Sequence, residues 1–136
     1  ALVIQEIISN SIQEKKEIIV IGDMNDFDNK IPDVNNNMPN SMVLDILKGI
    51  KGQYANTYQL FSVGEMIPQE KRFSDWWDSD NNCSTSQDKD FSMIDHLLVT
   101  SNLKSKIKNA FVYQNYPEYC GKMNSDHYPL IIDILY

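Results

Sequence analysis

The sequence predicts an α/β domain, because helical and strand-like apolar patterns follow one another along it. Residues 2–16 place isoleucines at positions 4, 7, 8 and 12, which share one face of a helix. Residues 18–21 are all β-branched and unbroken by polar residues, which favours a strand covered on both faces. Residues 130–135 form a last apolar run and indicate a terminal strand. A helix leading directly into a strand is typical of α/β layering.

The composition fits one compact domain and excludes several classes of protein. The chain has 136 residues, of which 42% are hydrophobic, so it can build a core and is not a disordered tail. A net charge of -7 argues against a protein that holds nucleic acid by general electrostatics. It does not exclude a nuclease, because a bound divalent cation can reverse the local charge. No apolar run approaches the length of a membrane span. The chain begins inside a predicted helix, so we expect it to be a piece of a longer protein.

After the first strand, the sequence predicts loops and one short helix. Residues 26–41 are rich in Asp, Asn and Pro, and we expect a solvated insertion without a chemical role. Ser41 is expected to cap a short helix over residues 42–48 that ends at Gly49. Residues 52–61 contain aromatic residues that could line a strand or a loop beside a site, and residues 62–72 are expected to be irregular.

The middle of the chain combines aromatic and acidic residues. Trp76 and Trp77 are adjacent and could form a substrate-facing platform, but we favour one in the core and the other over a loop. Residues 79–90 are expected to form a polar loop, and their acids lack the spacing of an EF-hand. Cys83 and Cys120 could pair or stay free, and neither has zinc-ligand spacing.

The second half of the chain predicts further strands. Residues 92–100 are mainly apolar and form the second strand of interest. We expect a short basic helix or turn over residues 101–108, another strand around residues 111–113, and a loop over residues 116–123.

Polar residues lie beside three of the predicted strands, where a plain core strand would not have them. They are Asp23 with Asn25, Asp95 with His96, and Asp126 with His127. A carboxylate and an amide at a strand end suit a phosphate together with a metal or an activated water. A carboxylate beside a histidine fixes its tautomer and stabilises its charged form. Each pair alone is also ordinary turn chemistry, whereas three of them beside strands predict a shared site.

These motifs resemble the endonuclease/exonuclease/phosphatase superfamily, whose members include deoxyribonuclease I. The matching segments are IGDMNDF at 21–27, SMIDHLLV at 92–99 and SDHYPL at 125–130, in the family's order. The resemblance covers almost all of residues 1–136 and implies the carboxy-terminal part of a single domain. The family fold is a four-layer α/β/β/α sandwich, so the resemblance implies a mixed β-sheet with covering helices, half of that sandwich.

The resemblance also implies a role for each matching side chain. Asp23 would bind or orient the attacking water, and Asn25 would hold the scissile phosphate. His127 would contact the phosphate, stabilising its charge or serving as general base, and Asp95 would orient His127 through a hydrogen bond. Asp126 would lie at the divalent metal, Mg²⁺ or Mn²⁺.

The implied function is metal-dependent hydrolysis of a phosphate ester, with nucleic acid, phosphoinositide or another phosphodiester as substrate. The family's first half supplies a metal-binding glutamate and further phosphate contacts. We therefore expect this chain to be nearly inactive without the amino-terminal half of the same domain, and to expose an apolar face liable to self-association. The alternatives are a catalytically silent binding domain of the same fold and a metal-free structural domain. His96 is expected to be structural.

Overall fold

The computed structural model describes residues 1–78, 90–115 and 125–135, which form three α-helices, seven short strands and two 3₁₀ helices. The helices are α1 (Leu2–Gln13), α2 (Val43–Leu47) and α3 (Ser101–Lys106). The strands are β1 (Ile19–Asp23), β2 (Phe61–Ser62), β3 (Asp75–Trp76), β4 (Phe91–Ser92), β5 (Asp95–Val99), β6 (Ile107–Val112) and β7 (Leu130–Ile134). The 3₁₀ helices are Val63–Met66 and Gln69–Lys71. Both cysteines, the predicted loop 116–123 and nearly all of the loop 79–90 lie outside the described residues.

The described strands pair in three small antiparallel sheets, with the orders β1-β5-β2, β3-β4 and β6-β7. In the first sheet, Asp23 at the end of β1 lies opposite Asp95 at the start of β5. The α/β class is confirmed, but the mixed sheet is wrong for the described strands, which show no parallel pairing. Antiparallel pairing has a consequence for the site, because it joins the polar ends of β1 and β5.

Two hydrophobic clusters lie on opposite faces of the central strand β5. Leu97 and Val99 belong to the larger cluster, whereas Leu98 belongs to the smaller one with Ile8 of α1 and Leu47 of α2. This alternation follows from the two-residue period of a strand. The apolar part of β5 is therefore buried on both faces, and it fixes the position of Asp95 at its start.

Strand β1 is covered on one face only. Val20 packs against the smaller cluster, whereas Ile19 and Ile21 are 46% and 62% exposed. The prediction that this strand is buried on both faces is therefore wrong, since no described residue covers its second face. Ile4 and Ile7 of α1 line the same surface depression as the exposed β1 isoleucines, so an apolar surface extends over both elements.

The segment 26–41 is a packed loop and not the solvated insertion that its composition predicts. The carboxylates of Asp26, Asp28 and Asp33 belong to residues no more than 4% exposed. Asp28 binds the ammonium of Lys48 at 2.7 and 2.8 Å. Asp33 accepts two backbone N–H groups of its own turn. The acids are buried because each is matched by donors, which composition alone does not reveal.

The predicted N-cap of α2 is wrong by one residue: Met42 is the N-cap and has no side-chain cap hydrogen bond, although the Ser41 hydroxyl accepts the Val43 N–H at 3.1 Å. Two other predictions are confirmed. The helix stops before Gly49, whose φ of 77° favours glycine. Trp76 is 3% exposed and Trp77 is 65% exposed, so one tryptophan packs in the core. Among the described residues, no helix combines the length and apolar character that a bilayer span requires.

Candidate functional site

The centre of the candidate site is a hydrogen bond between Asp95 and His127. Oδ2 of Asp95, at the start of β5, lies 2.7 Å from Nδ1 of His127, which precedes β7. His127 also forms an antiparallel backbone bridge with Asp75 of β3, so β3 holds its backbone while Asp95 of β5 holds its ring. An ionised Asp95 requires the proton on Nδ1, which leaves Nε2 for chemistry away from Asp95. The hydrogen bond expected from the sequence is present.

Asp23 reaches this site through the pairing of β1 with β5. Its Cα is the register partner of Asp95, and its side chain is exposed. Oδ1 of Asp23 accepts the backbone N–H of Asn25 at 2.7 Å. Asn25 adopts a φ of 46°, a left-handed conformation that asparagine tolerates. The structure thus places Asp23 opposite Asp95, and Asp95 in contact with His127. No hydrogen bond joins Asn25 to His127 among the described residues, so the place of Asn25 in the site stays a prediction.

A cleft of roughly 370 Å³ opens beside the hydrogen bond. Its walls come from the end of β1, the start of β5 and the residues that lead into β7. The lining residues include Ile21, Gly22, Asp95, Ser125, His127 and Leu130. Pockets of this size hold small ligands, so a phosphate group with part of its ester would fit.

Two further carboxylates lie near the other nitrogen of the His127 ring. Oδ1 of Asp75 is 3.9 Å from Nε2, and Oδ2 of Asp75 accepts the Ser92 hydroxyl at 3.0 Å. Asp126 precedes His127, and its carbonyl accepts the Trp76 N–H at 2.9 Å. Asp75, Asp126 and His127 each offer one ligand atom within 4.8 Å of the others. This spacing is suitable for binding one metal ion.

Asp75 is the site residue that sequence reasoning missed. It lies in the short strand β3, inside a stretch that the sequence analysis treated only as rich in Trp and acids. Phe73 and Trp76 on either side of it are both buried in the larger cluster. An acid between core aromatics was the signal that could have identified it, because a buried carboxylate needs a partner.

Two groups of the site, Asp75 and His127, have raised pKa values. Burial raises the pKa of Asp75, and the charges of Asp126 and Asp95 raise it further against the opposing Ser92 hydrogen bond and His127 charge. Partial burial lowers the pKa of His127, but the hydrogen bond and charge of Asp95, with the charges of Asp75 and Asp126, raise it overall. The surrounding carboxylates therefore stabilise the charged form of His127 more than water does.

His96, the neighbour of Asp95 in β5, faces away from this site. It is 4% exposed, and its Nε2–H donates to the carbonyl oxygen of Asp26 at 2.9 Å. Burial lowers the pKa of His96 and outweighs the opposing effects of the Asp26 hydrogen bond and the Asp28 charge. Neutral His96 holds the loop that follows β1, and so it acts in the structural role expected for it.

The residues near Nε2 of His127 fit a divalent cation. Asp75 and Asp126 offer carboxylate oxygens, which both Mg²⁺ and Mn²⁺ prefer. The imidazole of His127 offers a nitrogen, a ligand that suits transition metals better than Mg²⁺. The donor set is therefore compatible with the class of cation expected from the sequence and does not select between the two ions.

Comparison with models of protein families finds no match to the chain, and comparison with curated proteins finds none either. The resemblance to the endonuclease/exonuclease/phosphatase superfamily therefore stays a prediction that rests on three motifs. What is established is an α/β chain in which a histidine, its carboxylate partner and two further carboxylates share one region.

Proposed function

We propose that residues 1–136 are the carboxy-terminal part of a metal-dependent phosphoesterase domain of the endonuclease/exonuclease/phosphatase superfamily. The observation that carries this proposal is the 2.7 Å hydrogen bond between Asp95 and His127 beside a cleft, with Asp23 opposite Asp95. Hydrolysis of a phosphate ester needs a group that orients or deprotonates water and donors for the phosphate oxygens. These side chains supply both.

Each side chain has a distinct task in the proposed reaction. Oδ2 of Asp23 accepts a hydrogen bond from the attacking water, because Oδ1 is held by the Asn25 N–H. The Nε2–H of His127 donates to a non-bridging phosphate oxygen while Asp95 keeps the ring in position. The amide of Asn25 donates to the phosphate from the turn after β1. The carboxylates of the site would lie close to a phosphate bound there. They would repel it unless a cation balanced their negative charge.

Asp126 is the proposed ligand of the divalent cation, Mg²⁺ or Mn²⁺, which when bound supplies positive charge to the phosphate oxygens. One ligand atom of Asp126 lies within 4.8 Å of one ligand atom each of Asp75 and His127. Substrates with a phosphodiester group, such as nucleic acid or phosphoinositide, are the class proposed. The net charge of -7 makes tight sequence-independent DNA binding by this half less favourable.

The proposed fold of the whole domain is a four-layer sandwich of which this chain forms half. The apolar surface of α1 and β1, with Ile4, Ile7, Ile19 and Ile21 exposed, supports this proposal, because such a surface favours burial against a partner. The partner proposed is the amino-terminal half of the same domain, and self-association is expected without it. The chain alone is proposed to be nearly inactive, since the family's glutamate would come from that half.

The test is the hydrolysis of bis-para-nitrophenyl phosphate and para-nitrophenyl phosphate with Mg²⁺ or Mn²⁺. It compares the 136-residue chain with a longer protein that contains it. The longer protein should hydrolyse both substrates, and His127→Ala should lower its kcat by about 10²–10³-fold, as expected for loss of a hydrogen-bond donor to the developing phosphate charge. Asp133→Asn is the matched control, because Asp133 is exposed on β7.

Two outcomes would contradict the proposal in different ways. Robust turnover by the 136-residue chain would show that no amino-terminal half is needed. A folded longer protein that hydrolyses neither substrate with either cation would favour the catalytically silent domain.

A further inference from the structure

Asp75 has one carboxylate oxygen engaged and one open. Its side chain is 9% exposed. Oδ2 accepts the Ser92 hydroxyl, whereas Oδ1 accepts no hydrogen bond from any described residue. The nearest cationic group is Nε2 of His127, at 3.9 Å, which is beyond hydrogen-bond length. Oδ1 is not one of the fully buried polar atoms that lack a partner, so this oxygen is accessible and free to bind a ligand.

The space in front of Oδ1 is shared with Asp126 and Nε2 of His127, all within 4.8 Å. A phosphate bound at Nε2 would therefore lie beside the charge of Asp75 and be repelled by it. A cation held by that carboxylate would reverse the local field and attract the phosphate. The position of Asp75 is thus unfavourable for the proposed reaction unless a cation lies on it.

We infer that Asp75 and Asp126 together ligate the divalent cation of this site. The inference rests on the proposed function, since it concerns the same cation, and it adds a ligand that the resemblance does not assign. Asp75 is fixed for this task by β3, whose pairing with β4 brings the Ser92 hydroxyl to its other oxygen. One or two carboxylates with several waters are a sufficient ligand set for Mg²⁺. The 136-residue chain should therefore bind the cation by itself.

The experiment is calorimetric titration of the 136-residue chain with Mn²⁺ as the probe. The variants are Asp75→Asn and Asp126→Asn, and Asp133→Asn is the matched control. Each of the first two should weaken Mn²⁺ affinity by about 10-fold or more, since even the loss of an outer-shell partner has an effect of about 10–100-fold. The control should keep the wild-type affinity, because Asp133 is exposed on β7.

The pattern of affinities separates failure of this inference from failure of the proposed function. Weakening by Asp126→Asn with full affinity in a folded Asp75→Asn variant would overturn the role of Asp75 and leave the proposed cation site intact. Full affinity in both variants would overturn the inference together with Asp126 as the cation ligand.

A second variant covers the case in which Asp75→Asn does not fold. Asp75→Cys replaces a hard oxygen ligand with a thiolate, which favours soft metals such as Cd²⁺. The ratio of Cd²⁺ to Mn²⁺ affinity should rise by on the order of 10-fold over the Asp133→Cys control, whose thiolate lies outside the site. A ratio equal to that of the control would overturn the inference.

Discussion

Asp95 and His96 are neighbours in β5, but they belong to two different polar regions. These regions differ in how their charges are matched. The open site consists of Asp75, Asp95, Asp126 and His127, and it adjoins the cleft. The closed cluster consists of His96, Asp26, Asp28 and Lys48, each no more than 5% exposed. In the closed cluster an ammonium and backbone donors match the acids, whereas in the open site three carboxylates share one histidine.

The comparison shows that aspartate and histidine serve a structural purpose in one region and a ligand-binding purpose in the other. Successive residues of a strand face opposite sides, so Asp95 and His96 enter different surroundings. The closed cluster uses its polar groups to hold a loop, and a charge removed there leaves its partner buried and unpaired. The open site has more negative charge than it can satisfy internally, which suits it to bind a cation or a charged ligand.

The largest expected effect comes from Asp95→Asn, which breaks the central hydrogen bond of the open site. The asparagine amide can donate to Nδ1 and stabilise the wrong tautomer of His127, so kcat of the active longer protein should fall by up to about 10⁴-fold. Steady-state hydrolysis of bis-para-nitrophenyl phosphate measures this, with Asp133→Asn as control. An unchanged kcat would contradict the role of Asp95 as the residue that orients His127.

The next effect concerns the closed cluster and affects stability instead of activity. Lys48→Met removes the ammonium that binds both oxygens of Asp28 at 2.7 and 2.8 Å. The free energy of unfolding should fall by about 3–5 kcal/mol, because the carboxylate is left buried without its partner. Urea denaturation measures the change.

A double variant separates the unpaired charge from lost packing. Adding Asp28→Asn to Lys48→Met should recover a large part of the loss, since no buried charge then remains. A surface ion pair typically contributes less than about 1 kcal/mol. A decrease that small in the free energy of unfolding of Lys48→Met would contradict the burial of this ion pair.

The two histidines should respond to pH in opposite directions. The folded state raises the pKa of His127, so its stabilising contribution is present below pH 6.5 and is lost as the pH rises through the folded pKa. The folded state lowers the pKa of His96, so its contribution is present above pH 6.5 and is lost on acidification toward the folded pKa.

Single variants isolate the two contributions to stability. His96→Gln should weaken the loss of stability that acidification below pH 6.5 causes in the wild type. His127→Gln should remove the gain in stability that acidification from above the folded pKa of His127 down to pH 6.5 gives. The measurement is the free energy of unfolding by urea on both sides of pH 6.5, and the same slope change in both variants would contradict the comparison.

The sequence predicted the strands that carry the open site better than it predicted the packing around them. β1, β5 and β7 were found from apolar runs, and their polar ends Asp23, Asp95 and His127 came with them. Antiparallel pairing could not be derived, because an apolar run does not specify the direction of its neighbour. The exposure of Ile21 could not be derived either, since it depends on what covers the strand.

The closed cluster and the role of Asp75 could not be predicted from the sequence, for a related reason. Asp26 and Asp28 lie in a segment whose composition indicates a solvated loop, yet Lys48 and backbone N–H groups distant in sequence allow their burial. Asp75 lies in a two-residue strand, too short to give a periodic pattern. Tertiary partners decide the burial of an acid, and a local pattern contains little information about them.

The smallest expected effect tests the difference between the open site and the closed cluster most directly. Asp126→Asn removes a charge from the open site, where the charges of Asp75 and Asp126 repel each other. In metal-free buffer the free energy of unfolding should stay within about 0.5 kcal/mol of the wild type, as for a site not needed for folding. Saturating Mn²⁺ should then stabilise the wild type and not the variant, because ligand binding to the folded state adds stability. Thermal or urea unfolding with and without Mn²⁺ measures both. A loss above about 1 kcal/mol without metal would show that Asp126 holds the fold, as the acids of the closed cluster do.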